Sequence, residues 1–332
     1  MSDKGARLLM TVHSEEGEEK SPARRRSKRY IPNLAEFYFE PTYDWSIDEA
    51  RALYDARVGA VQEFELNTVL YEDCIQGMGE LPEGSIDLVI ADPPFGIDFN
   101  GKSSVYNRDE RLVVEDYEEV NGSYVEFTKR WIGELPRVLK EEGSVYIFSG
   151  WTNLEPVLRS AREVGLSTLN HIVWHYPFGV FTKRRFVTSH YHVLLLVKNL
   201  RSYFFNKIEH YPEDVWPVKR RYRAREIKNS TKLPLEVVAR CIDYSSKPGD
   251  LILDPFMGNG TTAVAARSSW RHYIGYEINE RLKPVIDSEI SSVTQGESYT
   301  PYASRLPTIE ELAEEYPIAY REYLRREKEE KR

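Results

Sequence analysis

Four consecutive residues, Asp92-Pro93-Pro94-Phe95, bring together groups with a definite chemical use. Two prolines fix φ and remove two backbone N–H donors, so the loop is stiff and presents carbonyl oxygens. A carboxylate precedes them and an aromatic ring follows. An amine on a heteroaromatic ring is a poor nucleophile because its lone pair is delocalised into the ring. Acceptors on both of its N–H bonds, here the Asp92 carboxylate and the Pro93 carbonyl, favour a pyramidal nitrogen aimed at an electrophile. Phe95 could stack on the face of such a ring. Taken alone, the tetrapeptide reads equally well as a proline-rich turn closing a strand, with Phe95 in the core.

A second stretch runs Leu251-Ile252-Leu253-Asp254-Pro255-Phe256-Met257-Gly258-Asn259-Gly260-Thr261-Thr262. A buried strand passes through a glycine-bearing turn into a helix, the layout of a nucleotide-binding β-α corner. Gly258 and Gly260 allow backbone to pass close to a ligand and to take positive φ. Glu277 follows at the end of the next strand, where a carboxylate can grip ribose hydroxyls. The spacing is not the G-x-G-x-x-G of dinucleotide enzymes, so a dehydrogenase is disfavoured. A ligand with an adenosine but no pyrophosphate fits better.

The elements that must position these loops alternate from Leu66 onward, the pattern of a sheet with helices on both faces. Strands are expected at Ile86–Ala91, 144–148, 169–176, 192–197, 251–253 and 272–276. Helices are expected at 124–140, 234–244, ending at Lys247-Pro248-Gly249, and 261–269. A further helix over 45–65 has Ser46 as its N-cap. Thr308-Ile309-Glu310-Glu311 is a capping-box pattern opening a charged tail helix that breaks near Pro317.

The chain has 332 residues, 41% of them hydrophobic and 12% aromatic, and only two cysteines, Cys74 and Cys241. No apolar run approaches the ~20 residues that span a bilayer. Two distant cysteines give neither a disulfide framework nor metal-ligand spacing. A reduced, cytoplasmic protein is expected. The net charge of −8 argues at first against nucleic acid, but affinity depends on where the cations lie. They cluster at Arg24–Arg29, at Lys183-Arg184-Arg185 and from Lys219 through Arg220, Arg221 and Arg223 to Arg225, while acids gather at Glu15–Glu19, Asp109–Glu119 and the tail.

Together the two motifs, in this order, resemble the DNA amino-methyltransferases of restriction-modification systems, in the permuted arrangement called the beta group. There the Asp-Pro-Pro-aromatic motif precedes the glycine motif, as Asp92 precedes Asp254 here. The resemblance covers roughly residues 66–290. It implies an α/β fold, a permuted Rossmann-like sheet, mostly parallel with helices on both faces, using S-adenosylmethionine as cofactor. By the same resemblance Asp73 and Cys74 sit by the cofactor's adenine, and Ser230, Thr231 and Lys232 hold its methionine end. Asp254, Pro255, Phe256, Gly258, Asn259, Gly260, Thr261, Thr262 and Glu277 complete the cofactor site. Ser189-His190-Tyr191-His192 is similar to a block where a His-Glu pair is often found, with Tyr191 in place of the Glu.

An Asp opening the catalytic motif resembles enzymes acting on adenine N6 more than on cytosine N4, which stays the alternative. The expected partner is double-stranded DNA, contacted through Lys183, Arg184, Arg185, Lys219, Arg220, Arg221 and Arg223, with the target base flipped out. No metal is required. The resemblance also implies a homodimer and a cognate restriction endonuclease. Residues 1–62 are expected to form an extension of basic arm plus helix, and 63–295 the catalytic domain with target-recognition insertions near 100–124 and 200–228. Residues 296–332 are expected to form a charged helical tail. An RNA or protein amide methyltransferase would use a similar loop but usually places the glycine motif first. A non-catalytic DNA-binding paralogue would show decay of Asp92 or of the Gly258–Gly260 turn, and both are intact.

Overall fold

A computed structural model describes residues 41–59, 64–94, 124–177, 179, 181–209, 212–219, 232–305, 311, 313–314 and 316–330. Phe95, Arg220, Arg221, Arg223, Ser230, Thr231, the arm at Arg24–Arg29, the insertion over 100–123 and the Thr308 capping pattern lie outside the described residues.

Successive side chains leave a strand on opposite faces, and β2 (Ile86–Ala91) is apolar on both. Leu88 and Ile90 enter one core, while Ile86, Val89 and Ala91 enter the other. Ile86 stands at the start of the strand, beside a register irregularity in its pairing with β3. A strand apolar on both faces must be covered on both.

The covers are two helical layers. The helices α2 (Cys74–Glu80), α3 (Tyr124–Val138) and α4 (Leu154–Glu163) close one face, with Met78, Trp131, Leu135 and Val157 in its core. On the other lie α5 (Leu235–Ser245), α6 (Thr261–Ser268) and α7 (Lys283–Ser291), with Val238, Ile242, Ala263 and Ile286.

Between them the eight-stranded sheet has the order β1-β8-β7-β2-β3-β5-β4-β6. Its other members are β1 (Thr68–Leu70), β3 (Leu139–Ser149), β4 (Ser167–His175), β5 (His190–Val197), β6 (Val215–Pro217), β7 (Leu251–Asp254) and β8 (His272–Tyr276). Every pairing is parallel except those of β5 with β3 and β4. This is the permuted, mostly parallel α/β sheet expected from the sequence. The strand of the glycine motif, β7, pairs directly with β2, the strand of the Asp-Pro-Pro motif.

Element ends differ from expectation for local reasons. The first helix, α1 (Ile47–Gly59), stops short of residue 65 but starts as expected. Ser46 Oγ accepts from Glu49 N at 3.2 Å, and Glu49 Oε2 accepts from Ser46 N at 2.8 Å, a reciprocal capping box. The chain passes without a turn from α3 into β3, which therefore begins at Leu139 rather than 144. Gly249 (φ +82°) ends the α5–β7 turn against α1, where a Cβ would lie 2.6 Å from Leu53 O. The tail helix α8 (Pro317–Glu330) has Pro317 as its first residue, the one helical position that tolerates the missing N–H.

At the amino edge of the sheet Asp87 accepts from Arg57, Lys140 and Leu251 N, joining α1, β3 and β7. A cavity of about 620 Å³ opens there, lined by Tyr43, Lys140, Phe204, Lys247 and Asp250 among others, and it is remote from both motifs. Arg271 is fully buried and donates to Ser246 O at 2.7 Å and to Tyr302 Oη at 3.0 Å. Through it and the buried Tyr299 and Tyr302, residues expected in a tail from 296 pack onto the body as far as Tyr302.

Candidate functional site

In a parallel α/β sheet ligands bind at the carboxyl ends of the strands, and both motifs meet there. Asp92 leaves β2 where Ala91 stands opposite Ile147 of β3. Asp254 ends β7 opposite Gly275 of β8. Because β7 and β2 are neighbours, the glycine turn and the catalytic loop share one edge. Asp92 is half-buried, Pro93 buried and Pro94 half-buried. The Asp92 charge reaches the Tyr124 phenol at the start of α3. That phenol's pKa is raised by burial first, with the Asp92 carboxylate adding to it, while a hydrogen bond with Asn153 acts against both.

The turn after β7 is shaped from within. Asp254 is buried, and its Oδ1 accepts from Phe256 N at 2.9 Å, with Thr262 as a side-chain partner. Burial pushes its pKa to about 7. Asp254 therefore holds the turn's shape, and Thr262, also buried, helps it. Phe256 anchors the turn on α3, its ring 5.2 Å from Trp131 in an edge-on contact and 5.9 Å from Phe127. Pro255 is buried, and Asn259 half-buried. Thr261 Oγ1 donates to Leu233 O at 3.3 Å, binding the turn to the segment that carries Lys232.

Gly258 (φ +53°) and Gly260 (φ +81°) take the left-handed conformation anticipated for them. A Cβ on Gly258 would meet nothing nearer than Phe256 O at 3.8 Å, so its outer side is open, whereas one on Gly260 would press Ile286 at 3.3 Å. Glu277 receives two backbone donors, Gly258 N at 2.8 Å and Asn279 N at 2.9 Å. Burial raises its pKa and these hydrogen bonds oppose the rise. Beside it the Tyr71 hydroxyl is buried with no hydrogen-bond partner among the described residues, and Lys283 Nζ stands 4.9 Å from the ring centroid. An open glycine turn, a held carboxylate and an orphaned hydroxyl fit the adenosine half of a ligand. Ile278, 57% exposed just after Glu277, adds an apolar surface that sequence reasoning missed. Its only signal was position, next to the acid.

The remaining sequence-derived cofactor residues divide. Asp73 caps α2, its Oδ1 accepting from Ile75 N at 2.7 Å and Gln76 N at 3.3 Å. Cys74 is a core residue whose thiol pKa is pushed up to about 12 by burial. Lys232 is paired with Glu289 of α7 at 2.9 Å. His192 Nδ1 lies 2.6 Å from His171 Nε2, and the Tyr191 ring stacks on Trp174 at 5.6 Å.

The described basic residues emerge on the same edge. β4 runs parallel to β6 and antiparallel to β5, so the β4–β5 connection and the chain leaving β6 both lie at the carboxyl end. That connection carries Lys183, Arg184 and Arg185, all exposed, between Phe181 (79% exposed) and Phe186 (99%). Thr182 Oγ1 donates to Arg185 O, and a Cβ on Gly179 would fall 2.2 Å from Thr188 O, so glycine lets the two arms close. Lys219 follows β6 and is exposed.

The family model for DNA methylase matches residues 86–288, which span β2 through most of α7. The chain is 31% identical over 248 residues to Type II methyltransferase M.HinfI of Haemophilus influenzae, covering 69% of each. It belongs to the DNA methylase family. This methylase is also 30% identical over 245 residues to DNA adenine methyltransferase YhdJ of Escherichia coli K12, covering 65% of its own length and 79% of that protein. Among solved structures, the cytosine-N4-specific PvuII DNA methyltransferase is 16% identical and superposes with a TM-score of 0.52, over 70% of this methylase and 95% of that chain. M1.HpyAVI in complex with SAM is 20% identical with a TM-score of 0.50, over 67% and 98%. At such identity these two structures establish the methylase fold alone.

Proposed function

We propose that the chain transfers a methyl group from S-adenosylmethionine to the N6 amine of adenine in double-stranded DNA, with the target nucleotide turned out of the helix. The observation that carries this reading is the meeting of the Asp92 loop and the Gly258–Gly260 turn at the carboxyl ends of two directly paired strands. The adenine assignment draws on the likeness to YhdJ, whose name states adenine, and on the Asp that opens the catalytic motif. Cytosine N4 is the second reading, since the same acceptors would serve either exocyclic amine.

The cofactor's sulfonium supplies an electrophilic methyl. Glu277, Gly258 and Tyr71 would hold its adenosine, with Ile278 against the base, and Lys232 stands at the other side of the turn on the segment expected to meet its methionine end. Asp92 and the Pro93 carbonyl would accept from the two N–H bonds of the target amine and take up the charge that develops there. The chain's contribution is then chiefly position. Lys183, Arg184, Arg185 and Lys219 would contact phosphates on the catalytic edge. Asp73, which caps α2 through Oδ1, and Cys74 would sit by the cofactor's adenine. A homodimer, a cognate restriction endonuclease and a cytoplasmic location complete the proposal. Both cysteines are buried and unpaired, and no described helix is long and apolar enough to cross a membrane.

The test uses purified protein, S-adenosylmethionine with a labelled methyl and mixed-sequence duplex DNA, digested afterwards to nucleosides. Label in N6-methyladenine is expected. Label in N4-methylcytosine would move the assignment to the second reading, and label only in RNA or protein would refute both.

A further inference from the structure

Of the six tryptophans in the chain, Trp131, Trp174, Trp216 and Trp270 are buried and Trp45 half-buried, but Trp151 is 65% exposed. Its surroundings are rigid. β3 continues past the point where Asp92 leaves β2, since Ala91 pairs with Ile147 and β3 runs on to Ser149. A tight turn follows at once, closed by Asn153 N donating to Gly150 O at 3.1 Å, with Trp151 at its second position. Ser149 is buried and donates to Gly150 O at 3.0 Å. Asn153 is buried, accepts from Thr152 Oγ1 at 2.5 Å and hydrogen-bonds the phenol of Tyr124. Tyr124 is the tyrosine reached by the charge of Asp92. The turn that presents the indole is therefore braced against the same side chain that borders the catalytic loop.

A large apolar ring held in water by a fixed turn, on the strand beside the catalytic strand, suits one ligand chemistry. A base taken out of a duplex loses stacking on both faces, and an aromatic side chain restores one of them. We infer that Trp151 is a stacking platform for the extruded target base, orienting its amine toward Asp92 and the Pro93 carbonyl. The inference rests on the proposed function and adds a residue to it.

The test compares wild type, Trp151→Phe and Trp151→Ala for methyl transfer to the same mixed-sequence duplex, with thermal melts to confirm that each variant folds. Trp151→Ala is expected to lower kcat about tenfold or more, with KM for S-adenosylmethionine unchanged, and Trp151→Phe to recover most of the rate. Addition of duplex DNA should quench the tryptophan fluorescence of the wild type and quench that of Trp151→Phe much less. If wild type methylates DNA and Trp151→Ala keeps its kcat, or raises only KM for DNA, the platform is overturned while the proposed function stands. If wild type transfers no methyl to DNA, both fall together.

Discussion

At the residue scale the site separates groups that act on ligands from groups that hold the backbone. Asp92→Ala should reduce methyl transfer at least about 100-fold while the affinity for S-adenosylmethionine, measured by calorimetry, stays within twofold. Glu277→Ala should do the reverse in binding. It removes the acceptor for Gly258 N and Asn279 N, so affinity should fall by about tenfold or more. Equal losses of affinity in both variants would contradict this division. Asp250 belongs to neither group. It is buried near Asp87, and burial first, then that neighbouring carboxylate, push its pKa from 3.8 to about 7. The folded form holds this proton after the unfolded chain has released it, so the contribution of Asp250 to stability falls as pH rises from about 4 to 7 and is flat beyond. The buried His192 and His272, with lowered pKa values, act in the opposite sense. Asp250→Asn isolates the carboxylate. Its Tm relative to wild type should climb between pH 5 and pH 7.5, and a difference independent of pH would refute the assignment.

Among the elements, the β4–β5 connection carries the most testable claim. Three exposed cations at its tip should each release a phosphate counterion. Replacing Lys183, Arg184 and Arg185 together by alanine should flatten the plot of log affinity for DNA against log salt by about 2–3. An unchanged slope would place the DNA elsewhere. Most of this architecture was legible in the sequence, because strands such as Ile86–Ala91 are mostly apolar runs and the helix over 234–244 is amphipathic and stopped by Lys247-Pro248-Gly249. The glycine turn was legible too, since Gly258 and Gly260 are required by positive φ. What was not legible was assembled by tertiary contact. The direct passage from α3 into β3 has no turn residue to mark it, and β6 is three residues held to the sheet by β4 alone. Asp73 was set beside the cofactor's adenine by resemblance alone, and its role as the cap of α2 is visible only in the structure. Beyond the place of Ile278 next to Glu277, nothing in the sequence set Trp151 or Ile278 apart, because their exposure is decided by the fold.

Over the whole molecule, the body extends beyond the boundaries suggested by charge. Arg271 fastens residues 299–302 to the sheet through Ser246 and Tyr302. A buried guanidinium with four hydrogen bonds orders its surroundings, and its loss leaves carbonyls without donors. Arg271→Ala should cost about 3–5 kcal/mol, lowering Tm by roughly 10 °C, with residual activity at low temperature intact. A melt unchanged from wild type would show that the segment contributes no stability.

The adjacency of β2 and β7 has a consequence in time. Leu251 N and Asp87 Oδ2 bond across 164 positions of chain, and Asn67 and His272, beside β1 and β8, across 205. Contacts so distant in sequence slow folding, since long loops must close before they are rewarded. During synthesis β2 must wait, one edge unpaired, until almost the entire body has been translated. A partly made chain then carries the Asp92 loop without the glycine turn, and has no means of methylating anything. The same delay leaves an apolar strand edge open to other chains, so this fold trades a period of aggregation risk for an enzyme that becomes active only when whole.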